Sequence, residues 1–139
     1  MSEDRIDEGL QGNEKIEEAI AGLRQEPTQE MLAHTLTVLR RRMRENGQII
    51  VGVEPGSLAG KMSLQAVKTQ DGSNWWAAYT SFDEELKGSG SVMSTFMADI
   101  GKMLRAALEE ENINGIILNP WNRTLMMDKT LIRIVLERV

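Results

Sequence analysis

Apolar residues first recur along the chain at the helical period and later alternate or run together, and these changes divide the sequence into elements. Ile16, Ala19, Ile20 and Leu23 form one stripe at spacings of three and four, which predicts a first helix. It should begin after Asn13 as N-cap and stop before Gln25-Glu26-Pro27, because the residue preceding a proline disfavours helix. Thr28 is the expected N-cap of a second helix, with Leu32, Leu36, Leu39 and Met43 on its buried face and Asn46-Gly47 as a left-handed stop. Ile49-Ile50-Val51-Gly52-Val53, ended by Glu54-Pro55-Gly56, then reads as a buried strand. Residues 61–70 and 73–81 read as two further strands joined by Asp71-Gly72, the signature of a type I′ hairpin. A two-residue loop sets Leu64 opposite Tyr79 and Ala66 opposite Ala77. Met62, Leu64 and Ala66 then share a face with Trp75, Ala77 and Tyr79, and Val67 and Trp76 fall on the other.

Phe96, Met97, Ile100, Met103, Leu104, Ala107 and Leu108 predict a strongly amphipathic helix, with Glu109-Glu110-Glu111 opposing the dipole at its C-terminus. Ile116-Ile117-Leu118 reads as a buried strand, residues 119–123 as a turn and 124–127 as a returning strand. Asp128 is the expected N-cap of a last helix bearing Leu131, Ile132, Val135, Leu136 and Val139. The pattern adds up to an α+β fold with two N-terminal helices, a mainly antiparallel sheet of about five strands, and helices packed on one side. Residues 1–12 are polar and acidic and are expected as a disordered tail, leaving 13–139 as a single domain.

The hairpin with Asp-Gly at its tip, the strand end Ala77-Ala78-Tyr79-Thr80-Ser81, the amphipathic helix and the run Gly115-Ile116-Ile117-Leu118-Asn119-Pro120 resemble the enhanced-serine-sensitivity (SseB-type) N-terminal domain family. That family shows Phe-Thr-Ser where this chain has Tyr79-Thr80-Ser81, and an aliphatic strand followed by Asn-Pro and often an aromatic, here Asn119, Pro120 and Trp121. The likeness runs from about residue 13 to the end. Where the family often carries a glycine soon after the aromatic, this chain offers Asn122, which tolerates left-handed geometry. Some members have a second, C-terminal domain, which these residues are not expected to contain, so any activity resident there does not carry over. The resemblance implies a bacterial-type α+β domain without established catalytic residues, whose relatives are linked to serine-related phenotypes and toxin-immunity neighbourhoods. It marks Tyr79, Thr80, Ser81, Asn119 and Pro120 as motif positions.

Composition narrows the chemistry. There is no cysteine, which removes disulfides, thiolate catalysis and cysteine-based zinc sites. The polar, acidic N-terminus has no signal-peptide pattern and no apolar run approaches a membrane span, so a cytoplasmic protein without membrane contact is expected. The net charge is −5, made of −6 over residues 1–30, +4 over 31–70 and −3 beyond. That balance argues against nucleic acid as partner, since phosphate neutralisation needs a broad basic surface. Arg40, Arg41, Arg42 and Arg44 are the local exception. They read as complements to the dipole of the second helix, paired with the acidic N-terminal segment, so that neutralising Arg41 and Arg42 should change stability by no more than about 0.5 kcal/mol.

No catalytic residues, metal site or cofactor are assigned. His34 is the only histidine and reads as a helix-surface or rim residue. A triad built from it with Ser81 has no support in spacing or in a Gly-x-Ser-x-Gly elbow. Lys87-Gly88-Ser89-Gly90-Ser91 departs from the Walker pattern and reads as a flexible loop with a serine N-cap rather than a phosphate cradle. Asp83-Glu84-Glu85 reads as a solvated acidic loop, since consecutive acids splay around a backbone. The aromatic positions carry the most information: Trp75 is expected in the core, Trp76 on the opposite sheet face, and Trp121 in a turn. The leading expectation is a non-enzymatic protein-binding module using Trp121, Asn119, Pro120, Tyr79, Thr80, Ser81 and Trp76, with a protein partner or a second copy of the chain. The alternative is a small-molecule-responsive or enzymatic domain with a polar pocket near Tyr79, Thr80, Ser81 and Asn119.

Overall fold

The computed structural model describes residues 8–53, 64–86 and 94–137. A 3-10 turn at Glu8–Leu10 precedes α1 (Glu14–Gln25), α2 (Gln29–Arg44), β1 (Gln48–Gly52), β2 (Ala66–Lys68), β3 (Asn74–Tyr79) and a short α3 (Phe82–Leu86). Then come β4 (Thr95–Asp99), α4 (Ile100–Glu109), β5 (Gly115–Leu118), β6 (Leu125–Asp128) and α5 (Lys129–Glu137). The predicted stop at Glu54-Pro55-Gly56, Met62, the loop Lys87-Gly88-Ser89-Gly90-Ser91 and Val139 lie outside the described residues.

Several boundaries follow the local chemistry. The Thr28 hydroxyl accepts from the Met31 N–H at 3.1 Å and starts α2. Asn46, at φ 64°, ends it, and the Gly47 N–H returns to the Arg42 carbonyl. The Asp128 carboxylate accepts from the Leu131 N–H at 2.9 Å and starts α5.

The strands lie in the order β4-β1-β3-β5-β6, with β2 beside β3. Every pairing is antiparallel except β3 with β5, which is parallel and reached by a crossover through β4 and α4. Strand alternation sorts the core into two layers. Ile49, Val51, Ala78, Ile116, Leu118, Leu125 and Met127 face the four longer helices, meeting Ile16, Ile20, Leu39, Leu104 and Ile132. Ile50, Ala77 and Tyr79 face the other way and pack with Leu10, Val67 and Met97. The α+β class, the mainly antiparallel sheet and the one-sided packing of the longer helices are all present.

Three details depart from the sequence reading. The expected tail does not extend to residue 12. Glu8–Leu10 is helical and Leu10 is buried, because it covers Ile50, Ala77 and Tyr79 on the face that the long helices leave open.

The hairpin register is also one residue different, with Ala66 opposite Trp76 and Val67 opposite Trp75. Thr69 and Ser73 close a three-residue loop, with Gly72 at φ 90° taking the positive-φ position. The slip exchanges faces. Leu64 and Trp76 pack against the helix-side core, while Val67 joins Tyr79 on the other side. The Asp71 carboxylate stabilises the loop by accepting from the Thr69 hydroxyl and the Ser73 N–H.

Finally, Phe96 and Met97 belong to a strand. All five residues of β1 find antiparallel partners in Thr95–Asp99, and helix starts only at Ile100. Phe96 packs on the helix side and Met97 on the other. The pairing partner in β1, far away in sequence, overrides the helical period.

A Cβ added at Gly72 would have no heavy atom within 4 Å, so a side chain there is opposed by the backbone alone. Gly72→Val should cost about 1–2 kcal/mol, lowering the melting temperature by roughly 3–6 °C. Gly72→Asn should cost clearly less, since asparagine tolerates positive φ. Equal melting temperatures for the valine variant and the parent in a thermal scan would contradict this loop.

Candidate functional site

Strands β3 and β5 run parallel and end side by side, which brings the two motifs together at their carboxyl ends. Thr80 is the meeting point and is wholly buried. Its N–H donates to Asn119 Oδ1 at 2.9 Å, and its carbonyl accepts from Asn13 Nδ2 at 3.0 Å. Its hydroxyl donates to Glu17 Oε2 and accepts from Asn119 Nδ2. A buried backbone leaving a sheet must find such partners, because an unpaired N–H or carbonyl is costly.

The same bonds extend on both sides. Asn13 also donates to the Gln48 carbonyl at 2.7 Å and accepts from Arg42 Nε at 2.9 Å. Its side chain is thus drawn into the interior, and it makes no side-chain cap for α1, contrary to the expectation. Arg42 is itself buried. Its guanidinium reaches Glu45 at 2.8 Å and the Gly9 carbonyl at 3.0 Å. Gly12, at φ 99°, lies against it, where a Cβ would come within 3.0 Å of the guanidinium carbon. The Arg42 pairing holds the Glu45 carboxyl below the usual range. The arginine cluster therefore divides: Arg41 is exposed, Arg40 donates to the Ile134 and Val135 carbonyls near the end of α5, and Arg42 is a core residue. The small effect expected for neutralising Arg42 does not apply, since removal would strip partners from Asn13 and Gly9 in the interior.

On the other side, Asn119 at φ 54° turns the chain out of β5, and the Thr124 hydroxyl donates to its carbonyl. Arg123, not Asn122, takes the second left-handed position, at φ 45°. Its guanidinium bonds Glu17 at 3.0 Å and lies 3.7 Å from Glu84. Asn122 donates to Glu84 Oε2 at 3.0 Å. The acidic run expected as a solvated loop is instead helix α3, started by the Ser81 hydroxyl accepting from the Glu84 N–H, with Glu84 turned into the interior.

Trp121 and Tyr79 meet directly. The indole Nε1 donates to the Tyr79 hydroxyl at 3.2 Å, and that hydroxyl also bonds Gln65. Tyr79 is 1 % exposed and Trp121 is 42 % exposed, so one edge of the indole is pinned and the ring faces solvent. Burial pushes the Tyr79 hydroxyl above its ordinary pKa, Glu85 adds to this, and the bond from Trp121 acts the other way. Tyr79, Thr80, Ser81, Asn119, Pro120 and Trp121 thus belong to one end of the sheet. Trp76 does not, because three residues before Tyr79 in the same strand it faces the other side, packed on the helix-side core. Asn13, Glu17, Arg42, Glu84 and Arg123 complete the cluster. Sequence reasoning missed them because each looked like a cap or a surface charge.

A cleft of about 330 Å³ opens beside Thr80, lined by Leu10, Glu14, Glu17, Ser81, Phe82 and Asp83 among others. The polar groups at its floor, on Asn13, Thr80 and Glu17, bond one another instead of converging on open space. His34 lies exposed on α2 beside Lys15, Glu18 and Arg41. Among the described residues no group of three or more His, Asp or Glu side chains is placed to hold a metal ion, and no helix is long and apolar enough to cross a membrane. Comparison with protein-family models, with curated proteins and with solved structures returned no match.

Tyr79 is the only tyrosine, so its ionisation can be read directly. A hydroxyl pKa raised by folding favours the neutral form, giving stability that is present below pH 10 and lost as pH climbs towards the folded value. Tyrosinate absorbance should therefore show a midpoint above 10.0 in the native protein and near it in denaturant. Tyr79→Phe should flatten the alkaline loss of stability relative to the parent. A native midpoint at or below the denatured one would contradict the Tyr79 environment.

Proposed function

We propose that this chain is an SseB-like, cytoplasmic domain acting as a non-enzymatic protein-recognition module, with Trp121 at the centre of its contact surface. The observation that carries this reading is the division of labour at the end of the sheet. The motif's polar groups are engaged with one another, and its aromatic is left facing solvent from a rigid base. Pro120 stiffens the turn, the Tyr79 hydroxyl fixes the indole edge, and ordering cost on binding is correspondingly low. Trp121 at 42 %, Met126 at 44 % and Phe82 at 36 % are three of the four large apolar side chains most exposed among the described residues. Trp121 and Met126 come from the β5–β6 hairpin, and Phe82 opens α3 directly after Thr80-Ser81. An exposed tryptophan held on a rigid base is the usual composition of a contact anchor.

The reading of the same residues as a polar ligand pocket is less well supported. Asn119 would have to release the buried Thr80 N–H, and the Thr80 hydroxyl its bonds to Glu17 and Asn119, before they could hold a ligand. The likeness to the SseB-type family rests on the motif residues, whose joint role in ending two neighbouring strands gives a physical reason for their occurring together.

The test is to capture partners from the native cytoplasm with the parent and with Trp121→Ala, then measure the affinity of a purified captured protein for both. The variant should bind that protein about thirty-fold more weakly, the hot-spot scale of roughly 2 kcal/mol, with its melting temperature changed only slightly. A second copy as the partner would appear as concentration-dependent sedimentation abolished by the same substitution. A variant that is destabilised but binds with unchanged affinity overturns the reading.

A further inference from the structure

The β2–β3 hairpin turns Leu64 and Trp76 to the helix side of the sheet. Between that hairpin and the chain leaving α4 lies a second cleft, of about 380 Å³, lined by Leu64, Ala66, Asn74, Trp76, Glu110 and Asn112 together with Ile113. The one-residue register shift creates it, by turning Leu64, Ala66 and Trp76 to the same side. Trp76 is only partly buried and packs one side of its indole on the core, which makes it a wall fixed from behind.

The α4 end of the cleft is negative, while Lys68, two residues on from Ala66 and opposite Asn74, shares the sheet face at the other edge. Glu110 directly follows the last residue of α4, where the outward carbonyls already carry partial negative charge. Its carboxylate accepts from the Asn112 N–H and side-chain amide, which ties it to a second residue of the cleft wall. Lys129 reaches this helix end through the Glu110 backbone carbonyl, at 2.7 Å, and not through the carboxylate. An aromatic face, a carboxylate and the neighbouring amides of Asn74 and Asn112 together suit a flat ligand that is rich in donors and positively charged.

We propose that the Trp76 cleft binds a guanidinium group, stacked on the indole and paired with Glu110. This site is separate from the Trp121 surface and does not depend on it. The same group can arrive as an arginine side chain of a partner or as a free alkylguanidinium.

The experiment follows the backbone amide resonances of Ala66 and Asn112 in the whole chain during titration. The probes are methylguanidinium, a capped Ala-Arg-Ala peptide and the matching peptide with citrulline in place of arginine. Both guanidinium probes should shift these resonances saturably, and the citrulline peptide should not. Tighter binding of the arginine peptide than of methylguanidinium assigns the site to a protein side chain, and equal binding assigns it to the free cation. Glu110→Gln keeps an acceptor for Asn112 and removes only the charge, so it should weaken binding about fivefold or more, and added salt should do the same. Trp76→Phe, the substitution gentlest on the core, should weaken it severalfold while leaving the amide spectrum folded. Equal shifts from the citrulline peptide, no saturable shift from either guanidinium probe, or unchanged affinity in Glu110→Gln overturns the proposal.

Discussion

The rest of the structure depends on how a parallel strand pair is allowed to end inside the protein. β3 and β5 stop together under α1, and the backbone of Thr80, the first residue past β3, is wholly buried there with no strand partner among the described residues. Two asparagines take over, Asn119 holding its N–H and Asn13 its carbonyl. A buried amide left open costs about 1–3 kcal/mol per group, a large share of the stability of a domain this size. This requirement accounts for Asn13 abandoning its helix-capping role. It also brings Arg42 indoors, since the Asn13 oxygen needs a donor once its amide is spent on Gln48 and Thr80.

The same constraint separates scaffold from surface. Glu17, Arg123, Glu84 and Asn122 tie the turn after β5 to α1 and α3, so the loop carrying Trp121 is held at several points. Arg123 adopts a left-handed backbone to make these contacts, at a cost of about 1–2 kcal/mol for a residue with a Cβ. What projects from this base is apolar and rigid. That is the physical content of the proposed recognition module, in which the polar motif would support the contact surface.

Much of this was legible in the residues. Thr28, Asn46 and Asp128 announced their helix ends through side-chain chemistry that acts within four residues, and each was where its type predicts. The motif positions at 79–81 and 119–121 also come together, although what each does was not visible. Most of the failures share a cause. Phe96 and Met97 fit a helical stripe until β1, more than forty residues earlier, claims them as strand partners. The hairpin loop could close on two residues or three, and the pairing of Thr69 with Ser73 decides it, bringing Leu64 and Ala66 to the face of Trp76. Arg42 and Glu84 sit in charged runs that read as solvated, and their burial is set by partners far away in the chain, Asn13 and Asn122. Local signals carried local structure, and long-range pairing decided which face each residue serves.

The central claim is that Asn13 and Asn119 act on one another through Thr80. A double-mutant cycle of Asn13→Ala, Asn119→Ala and the pair, read by urea denaturation, tests it most directly. Each single variant should lose about 2–3 kcal/mol, and the double should lose less than their sum by about 1 kcal/mol or more, since the second removal acts on an end already released. Losses that add within about 0.3–0.5 kcal/mol would show two independent sites and contradict the account.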